Sequence, residues 1–168
     1  MKISIYYSLL NFQNTKRFKQ FFFVFTMLVF GVFSQSVSAQ FVSLNVLDSD
    51  AGELGGNPGS FRVSLSSSRN VDTEIEVLVD QSVSTATAGT SAANGDRSSI
   101  NGSIVIPANE LSFIINVTVF DDNLVEGDEI IKLDLISSSG TTTINPFANT
   151  ATLEIVDNDF ATLSLSDA

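Results

Sequence analysis

The chain has 168 residues, of which 19 are Asp or Glu and 8 are Lys or Arg, and it contains no His, Cys or Trp. Four of the basic residues lie in the first 20 positions and no acid precedes Asp48, so residues 40–168 hold 4 basic against 19 acidic residues, a net charge of −15. This charge excludes a nucleic-acid binder, because phosphate contacts need a basic surface. The missing His and Cys exclude a His/Cys zinc site, disulfides and a His-based catalytic triad.

Residues 1–39 are predicted to be a signal peptide. A basic stretch that ends at Lys19 precedes an apolar run at 21–33, and small side chains then fit a cleavage site after Ala39. The alternative is an uncleaved membrane anchor, but the apolar run is shorter than the roughly 20 residues of a spanning helix. In both cases the acidic part is exported, and we expect it to be secreted or at the cell surface, with no membrane insertion after cleavage.

Residues 40–159 are predicted to form one all-β domain. Apolar and polar residues alternate in seven short segments rich in Val, Ile, Phe and Thr, which is typical of strands, and no window shows a helical period. Seven strands without helices indicate an antiparallel, immunoglobulin-like β-sandwich. The predicted strands are 41–47, 60–66, 74–80, 103–107, 111–120, 130–136 and 150–156.

The end of the chain resembles its own first strand. FATLSLSD at 160–167 matches FVSLNVLD at 41–48 in its Phe, its first Leu and its closing Asp. We interpret residues 160–168 as the first strand of a following repeat, with no linker between the two. The alternative is that two unrelated strands look alike because both alternate. An adjacent repeat of the same chain is therefore the first expected partner.

The acidic residues of the domain gather where strands end. Strands 41–47, 111–120 and 150–156 can run in one direction, so the acids that follow them would meet at one pole of the sandwich. Like charges at close range cost stability unless a cation compensates them. Ca²⁺ accepts 6–8 oxygens in loose geometry, whereas the strict octahedron of Mg²⁺ makes it the weaker candidate. The alternative is a solvated acidic rim that keeps the protein soluble.

Four motifs carry a resemblance to a known family. They are Glu53-Leu54-Gly55 with Pro58-Gly59-Ser60-Phe61, the segment TATAGT at 85–90, the block DDNLVEGDE at 121–129, and IVDND at 155–159. In this order and spacing they resemble the Calx-beta domain, a family that includes the Ca²⁺-binding regulatory domains of sodium–calcium exchangers and repeats of bacterial extracellular proteins. The resemblance implies a β-sandwich that binds Ca²⁺.

The resemblance also implies a set of ligands. More carboxylates are present than one Ca²⁺ requires, so two or more ions are expected. The sequence departs from the family pattern at two places near Asp96. Ala92-Ala93-Asn94-Gly95 is an extra loop, and Arg97 replaces a tyrosine. An extra loop and a cation beside a ligand are expected to weaken or distort one ion position. The implied ligands are Glu53, Asp96, Asp121, Asp122, Glu126, Asp157 and Asp159, with Glu129 as a weaker member.

The function that these observations favour is a Ca²⁺-binding structural repeat. It would stiffen a secreted or cell-surface multi-domain protein and support adhesion, with an extracellular protein or glycan as a further partner. One alternative is a metal-free structural or ligand-binding sandwich. A more remote one is a carboxylate-based hydrolase, which the absence of Trp, and of Tyr outside the leader, disfavours, because a sugar-stacking platform is then missing. The chain is therefore not expected to be an enzyme.

Overall fold

A computed structural model describes residues 39–100 and 102–163, which form ten strands and no helix. The predicted leader up to Ser38 and the last five residues of the predicted second repeat lie outside this part. Within the described residues there is no helix that could cross a membrane. The strands are β1 (Gln40–Asp48), β2 (Gly59–Leu65), β3 (Thr73–Val79), β4 (Ala88–Gly89), β5 (Arg97–Ser98), β6 (Gly102–Ile106), β7 (Ser112–Val117), β8 (Glu129–Ser138), β9 (Thr142–Ile144) and β10 (Thr150–Ile155).

Eight of the strands form two four-stranded sheets, in the orders β7-β2-β1-β9 and β10-β8-β3-β6. The apolar residues of each alternating strand face the space between the sheets, as Phe61 and Val63 do in β2 and Ile75 and Val77 do in β3. These side chains are at most 1% exposed, so the period-2 pattern seen in the sequence corresponds to a buried face. The predicted all-β fold with sandwich-like sheets is confirmed.

Two details of the prediction are corrected. All seven predicted strands are present, but β4, β5 and β9 bring the number to ten, because strands of two or three residues are too short to show an alternating pattern. The sandwich is also not purely antiparallel. β9 lies parallel to the start of β1, with Gln40 opposite Thr142, and β4 lies parallel to β5.

The strand directions bring four connections to the same end of the sandwich. β1 and β7 both run antiparallel to β2, and a parallel bridge between Gly52 and Val156 places the chain after β1 beside the end of β10. The predicted common direction of these three strands is therefore confirmed. We call this end the acidic pole; it comprises residues 49–58, 81–100, 118–129 and 156–159.

Candidate metal centre at the acidic pole

The acidic pole contains two separate groups of three carboxylates. In cluster A, Glu53, Asp157 and Asp159 each offer an oxygen, and these oxygens lie within 4.8 Å of one another. In cluster B, Asp96, Glu126 and Glu129 each offer an oxygen, and these oxygens also lie within 4.8 Å of one another. Six of the eight residues implied as ligands are thus brought together, but as two sets contributed by different connections. Asp121 and Asp122 belong to neither cluster.

Glu53 is the most buried member of cluster A. Its backbone N–H donates to the carbonyl of Val156 at 3.0 Å, and its own carbonyl accepts from Gly56 N–H at 2.6 Å, so the turn after β1 is fastened to the end of β10. The Glu53 side chain is only 3% exposed, and its Oε2 has no hydrogen-bond partner among the described residues. A buried carboxylate oxygen without a donor is costly, so this group lacks the compensation that folded proteins usually provide.

Asp157 is held in its charged form by backbone donors. Its Oδ1 accepts from Asp159 N–H at 2.7 Å, and its Oδ2 accepts from the N–H groups of Gly127 and Glu126 at 2.7 and 2.9 Å. These donors lower the pKa of Asp157 below its usual value. The end of β10 is thereby tied to the loop between β7 and β8, and one permanent negative charge lies in cluster A.

The other two members of cluster A are shifted in the opposite direction. Burial, and then the charge of Asp157, raise the pKa of Glu53 to about 7. Burial and the charge of Asp157 also raise the pKa of Asp159, whose Oδ2 has no hydrogen-bond partner in the described part of the chain. Near neutral pH, cluster A therefore contains carboxyl groups that ionise only against mutual repulsion, which a bound cation would relieve.

Cluster B is positioned by the connection between β3 and β6. The backbone N–H and the hydroxyl of Thr87 both donate to Oδ2 of Asp96, the hydroxyl at 3.0 Å, so the Asp96 side chain is fixed. Burial, followed by a hydrogen bond with Asp96, raises the pKa of Glu129 to about 7, and burial and Asp96 also raise that of Glu126. Oδ2 of Asp96 is satisfied, whereas Oε2 of Glu129 has no partner within residues 39–100 and 102–163.

The extra loop expected to disturb one ion position folds into a compact turn. Oδ1 of Asn94 accepts from the N–H groups of Thr90 and Ser91 at 2.9 and 3.1 Å. Gly89 and Gly95 pack so closely that a Cβ on Gly95 would lie 2.6 Å from the Gly89 nitrogen. Because glycine permits this approach, the inserted residues are accommodated beside the β4–β5 pair and Asp96 still reaches cluster B.

Arg97, the other departure from the family pattern, is a buried cation next to cluster B. Its side chain is 1% exposed, one terminal nitrogen donates to the Ser98 carbonyl at 3.0 Å, and its Nε has no hydrogen-bond partner in the described part. Burial lowers the pKa of Arg97, and the charges of Asp96 and Glu129 oppose that shift. No carboxylate oxygen of the described residues forms an ion pair with it within 4.0 Å.

Asp121 and Asp122 have hydrogen-bond partners outside both clusters. Oδ2 of Asp121 accepts from Gly55 N–H at 3.0 Å, which connects the loop after β7 to the turn after β1. Oδ1 of Asp122 accepts from Leu124 N–H at 2.7 Å within its own loop. Asp122 still acts on cluster A through its charge, which contributes to the raised pKa of Glu53.

Sequence reasoning assigned no role to Thr87 or to the backbone of Gly127. Thr87 lies in the TATAGT segment, which supported the resemblance only as a motif, yet it supplies two donors to Asp96. Gly127 N–H holds Asp157 from a loop distant in sequence. The only available signal for the role of Thr87 was a hydroxyl residue followed by a Gly-rich turn and an Asp. Nothing in the sequence indicated the role of the Gly127 backbone.

The donor set suits a hard divalent cation. Both clusters consist of carboxylates alone, without the sulfur or imidazole ligands that select zinc or copper. Clusters A and B each bring three carboxylate oxygens close together and include an oxygen that no internal donor satisfies. The residues present therefore fit Ca²⁺, which prefers oxygen ligands and tolerates the irregular geometry of loops.

Residues 80–159 match the family model of the Calx-beta domain, so the resemblance inferred from the motifs is confirmed over that range. The match includes cluster B, Asp157 and Asp159, while the motif around Glu53 precedes it.

Solved structures of Calx domains share the fold. The crystal structure of CBD12 from CALX1.2 is 21% identical with a TM-score of 0.56, and it aligns with 71% of this chain and 44% of its own length. The apo-form Calx CBD1 domain is 19% identical with a TM-score of 0.53, and 73% of this chain covers all of that domain. The calcium binding domain CBD12 of CALX1.1 is 22% identical with a TM-score of 0.54, over 69% of this chain and 44% of its own. The chain thus spans less than half the length of the two CBD12 structures.

Proposed function

We propose that this chain is a non-catalytic, Ca²⁺-binding structural repeat, and that cluster A is its principal ion site. The observation that carries the proposal is Glu53, a residue only 3% exposed whose Oε2 has no donor among the described residues, placed against Asp157 and Asp159. An exposed acidic rim would not need to bury such a group. A cation at cluster A would neutralise the repulsion and coordinate the unsatisfied oxygen.

Clusters A and B offer two candidate ion positions, in line with the expectation of two or more ions. Glu126 and Asp157 link them, because the backbone N–H of Glu126 donates to Asp157 while the Glu126 side chain belongs to cluster B. Ca²⁺ at cluster A would fasten the turn after β1 to the end of β10, and Ca²⁺ at cluster B would fasten the connection between β3 and β6 to the loop after β7. Its structural effect would be to convert several repelling loops into one rigid end of the sandwich.

Calorimetry and thermal unfolding of the chain from Gln40 onward test this proposal. Because the ion would bind the assembled loops and not the unfolded chain, a hundredfold excess over Kd should stabilise the fold by about 2.7 kcal/mol per site. Mg²⁺ at the same concentration should stabilise less. Absence of binding heat, together with identical melting curves in chelator and in millimolar Ca²⁺, would leave the metal-free sandwich as the better description.

The proposed role in the whole protein is to stiffen an array of such repeats. Asp157 and Asp159 lie within three residues of Phe160, where the following repeat is expected to begin. An ion at cluster A would hold this outgoing segment, whereas repulsion in its absence would loosen it. Small-angle scattering of two repeats in tandem should show a larger maximum dimension in Ca²⁺ than in chelator. Equal dimensions would contradict stiffening even if Ca²⁺ binds.

Export and adhesion complete the proposal. The basic and apolar leader supports secretion or display at the cell surface, and the strong negative charge of the remainder supports an extracellular protein or glycan partner over a nucleic acid. Cell fractionation of the full chain tests the location: the protein should be found in the medium or on the surface. Retention in the cytoplasm would contradict both export and the adhesive role.

A further inference from the structure

The two carboxylate clusters differ in their relation to the basic residues. Residues 39–163 contain four, namely Arg62, Arg69, Arg97 and Lys132. Lys132 is paired with Asp80 at 2.7 Å, and Arg69 donates to Thr73 far from the acidic pole. Arg97 follows Asp96 directly and is the basic residue whose charge acts on cluster B. Among the described residues, no basic residue acts on the carboxylates of cluster A in the same way.

The charge of Arg97 is poorly screened. The side chain is 1% exposed, its Nε is unsatisfied, and a terminal nitrogen donates to the carbonyl of the adjacent Ser98 and not to a carboxylate. A buried guanidinium is expensive unless negative charge nearby compensates it. Asp96 and Glu129 supply that negative charge, so cluster B already serves as the counter-charge of an internal cation.

A second cation at cluster B would meet this fixed positive charge. Coulomb repulsion between a divalent ion and a guanidinium is strong where little water intervenes, and arginine cannot escape it by losing its proton. When ionised, Asp96, Glu126 and Glu129 carry three negative charges, all of which a divalent ion and Arg97 together would use. At cluster A, which also has three carboxylates, a divalent ion would leave one negative charge in excess. Cluster A is free of this competition, because Asp157, Asp159 and Glu53 have no comparable cation beside them.

We propose that Arg97 is an affinity-determining residue that makes the two ion positions unequal. Cluster A binds Ca²⁺ tightly, and cluster B binds it weakly because the positive charge of Arg97 already compensates its carboxylates. The inference deepens the proposed function and rests on it. One consequence is that the cluster B side of the acidic pole is held together without Ca²⁺, whereas the cluster A side depends on the ion.

Calcium titration of matched variants tests the inference. The unaltered chain should show one tight site that Glu53→Gln removes and Glu129→Gln leaves in place. Arg97→Met keeps the length and apolar stem but removes the charge, so the weak site should tighten by roughly tenfold or more. That gain should disappear when Glu129→Gln is added. Arg97→Lys keeps a charge at the same position, and Arg62→Gln removes one elsewhere, so both should behave like the unaltered chain.

Each outcome decides between the proposals. If Arg97→Met leaves both affinities unchanged while Glu53→Gln abolishes tight binding, the role of Arg97 is overturned and the Ca²⁺ site stands. If neither the unaltered chain nor Arg97→Met binds Ca²⁺, both proposals fail. Circular dichroism and melting in chelator verify folding, and Arg97→Gln, which retains a polar side chain, replaces Arg97→Met if that variant does not fold. Two equally tight sites in the unaltered chain would also contradict the inference.

Discussion

Acidic residues on the sheet faces and acidic residues at the acidic pole have different surroundings. On the faces, Asp80 accepts from Lys132 Nζ at 2.7 Å, and Glu74 accepts from the Ser103 hydroxyl at 2.8 Å. At the pole, Glu53 lies beside other carboxylates and keeps an unsatisfied oxygen. Asp80 and Glu74 are therefore compensated within the fold, whereas Glu53 is not.

The pKa values of the two regions move in opposite directions for this reason. The hydrogen bond from Lys132, with help from Ser82, lowers the pKa of Asp80 to about 2. Burial and neighbouring carboxylates raise the pKa of Glu53 to about 7. Both groups are carboxylic acids of the same chain and each is shifted from its own usual value, so the difference comes from the neighbours that the fold provides. A cluster of acids therefore indicates a cation site where it includes a buried carboxylate oxygen without a donor, as cluster A does in Glu53.

The largest expected effect is on Ca²⁺ affinity. Glu53→Gln and Asp157→Ala should each weaken tight binding by roughly a hundredfold or more, because each removes a charged ligand from cluster A. Glu74→Gln, which removes a carboxylate from a sheet face, should leave affinity nearly unchanged. Calorimetric titration of the three variants measures the contrast. Equal weakening by all three would mean that the acids act as a diffuse field rather than as a site.

The second effect is on the pH dependence of the free energy of unfolding, measured in chelator. The folded pKa values of Glu53 and Glu129 are raised from 4.5 to about 7, so the folded state retains protons that the unfolded state releases. Their stabilising contribution is present below pH 4.5 and is lost as the pH rises to 7, by at most about 1.4 kcal/mol for each unit of pKa difference. Urea unfolding at several pH values measures this loss.

Calcium should reverse that dependence. A bound cation favours the ionised carboxylates, so in Ca²⁺ the stability should rise between pH 5 and pH 7 instead of falling. Glu53→Gln removes one of the titrating groups and should flatten the curve in chelator. Parallel curves of stability against pH in chelator and in Ca²⁺ would show that Ca²⁺ does not affect the titration of the carboxylates at the acidic pole.

A smaller effect is expected from the donors that position cluster B. Thr87→Val removes the hydroxyl that donates to Asp96 but keeps the backbone donor. Loss of one hydrogen bond to a charged group should cost about 1.5–3 kcal/mol in the free energy of unfolding. The cost should be similar in chelator and at low millimolar Ca²⁺ if cluster B is the weaker site. Thr85→Val, whose hydroxyl accepts from Ile130 N–H away from Asp96, is the comparison variant.

The smallest effect is expected from the face carboxylate. Asp80→Asn should slightly lower the melting temperature at pH 7, because it weakens a partly exposed pair with Lys132. Asp80 has a lowered pKa, so its contribution is present above pH 3.8 and is lost as the pH falls towards 2. Calcium affinity should not change. A large loss of Ca²⁺ binding in this variant would remove the distinction between face and pole.

The strands of this protein could be predicted because their signal is local. Alternation in FRVSL or EIEVLV indicates which side chains face the core without reference to any other segment, and all seven segments chosen in this way are strands. The common direction of β1, β7 and β10 followed from counting strands, and with it the meeting of their trailing acids at one pole. The two-residue strands β4 and β5 could not be found, because they exist only through pairing with each other.

The sequence by itself determined which acids lie at the pole, but only the tertiary structure decided how they are divided. Glu53 joins Asp157 because the turn after β1 bonds to the end of β10, and Asp96 joins Glu129 through the connection that carries Thr87. These contacts are between segments far apart in the chain, and their distances depend on loop conformations that no local pattern encodes. The same holds for Arg97, whose burial makes an ordinary basic residue the neighbour that distinguishes one cluster from the other.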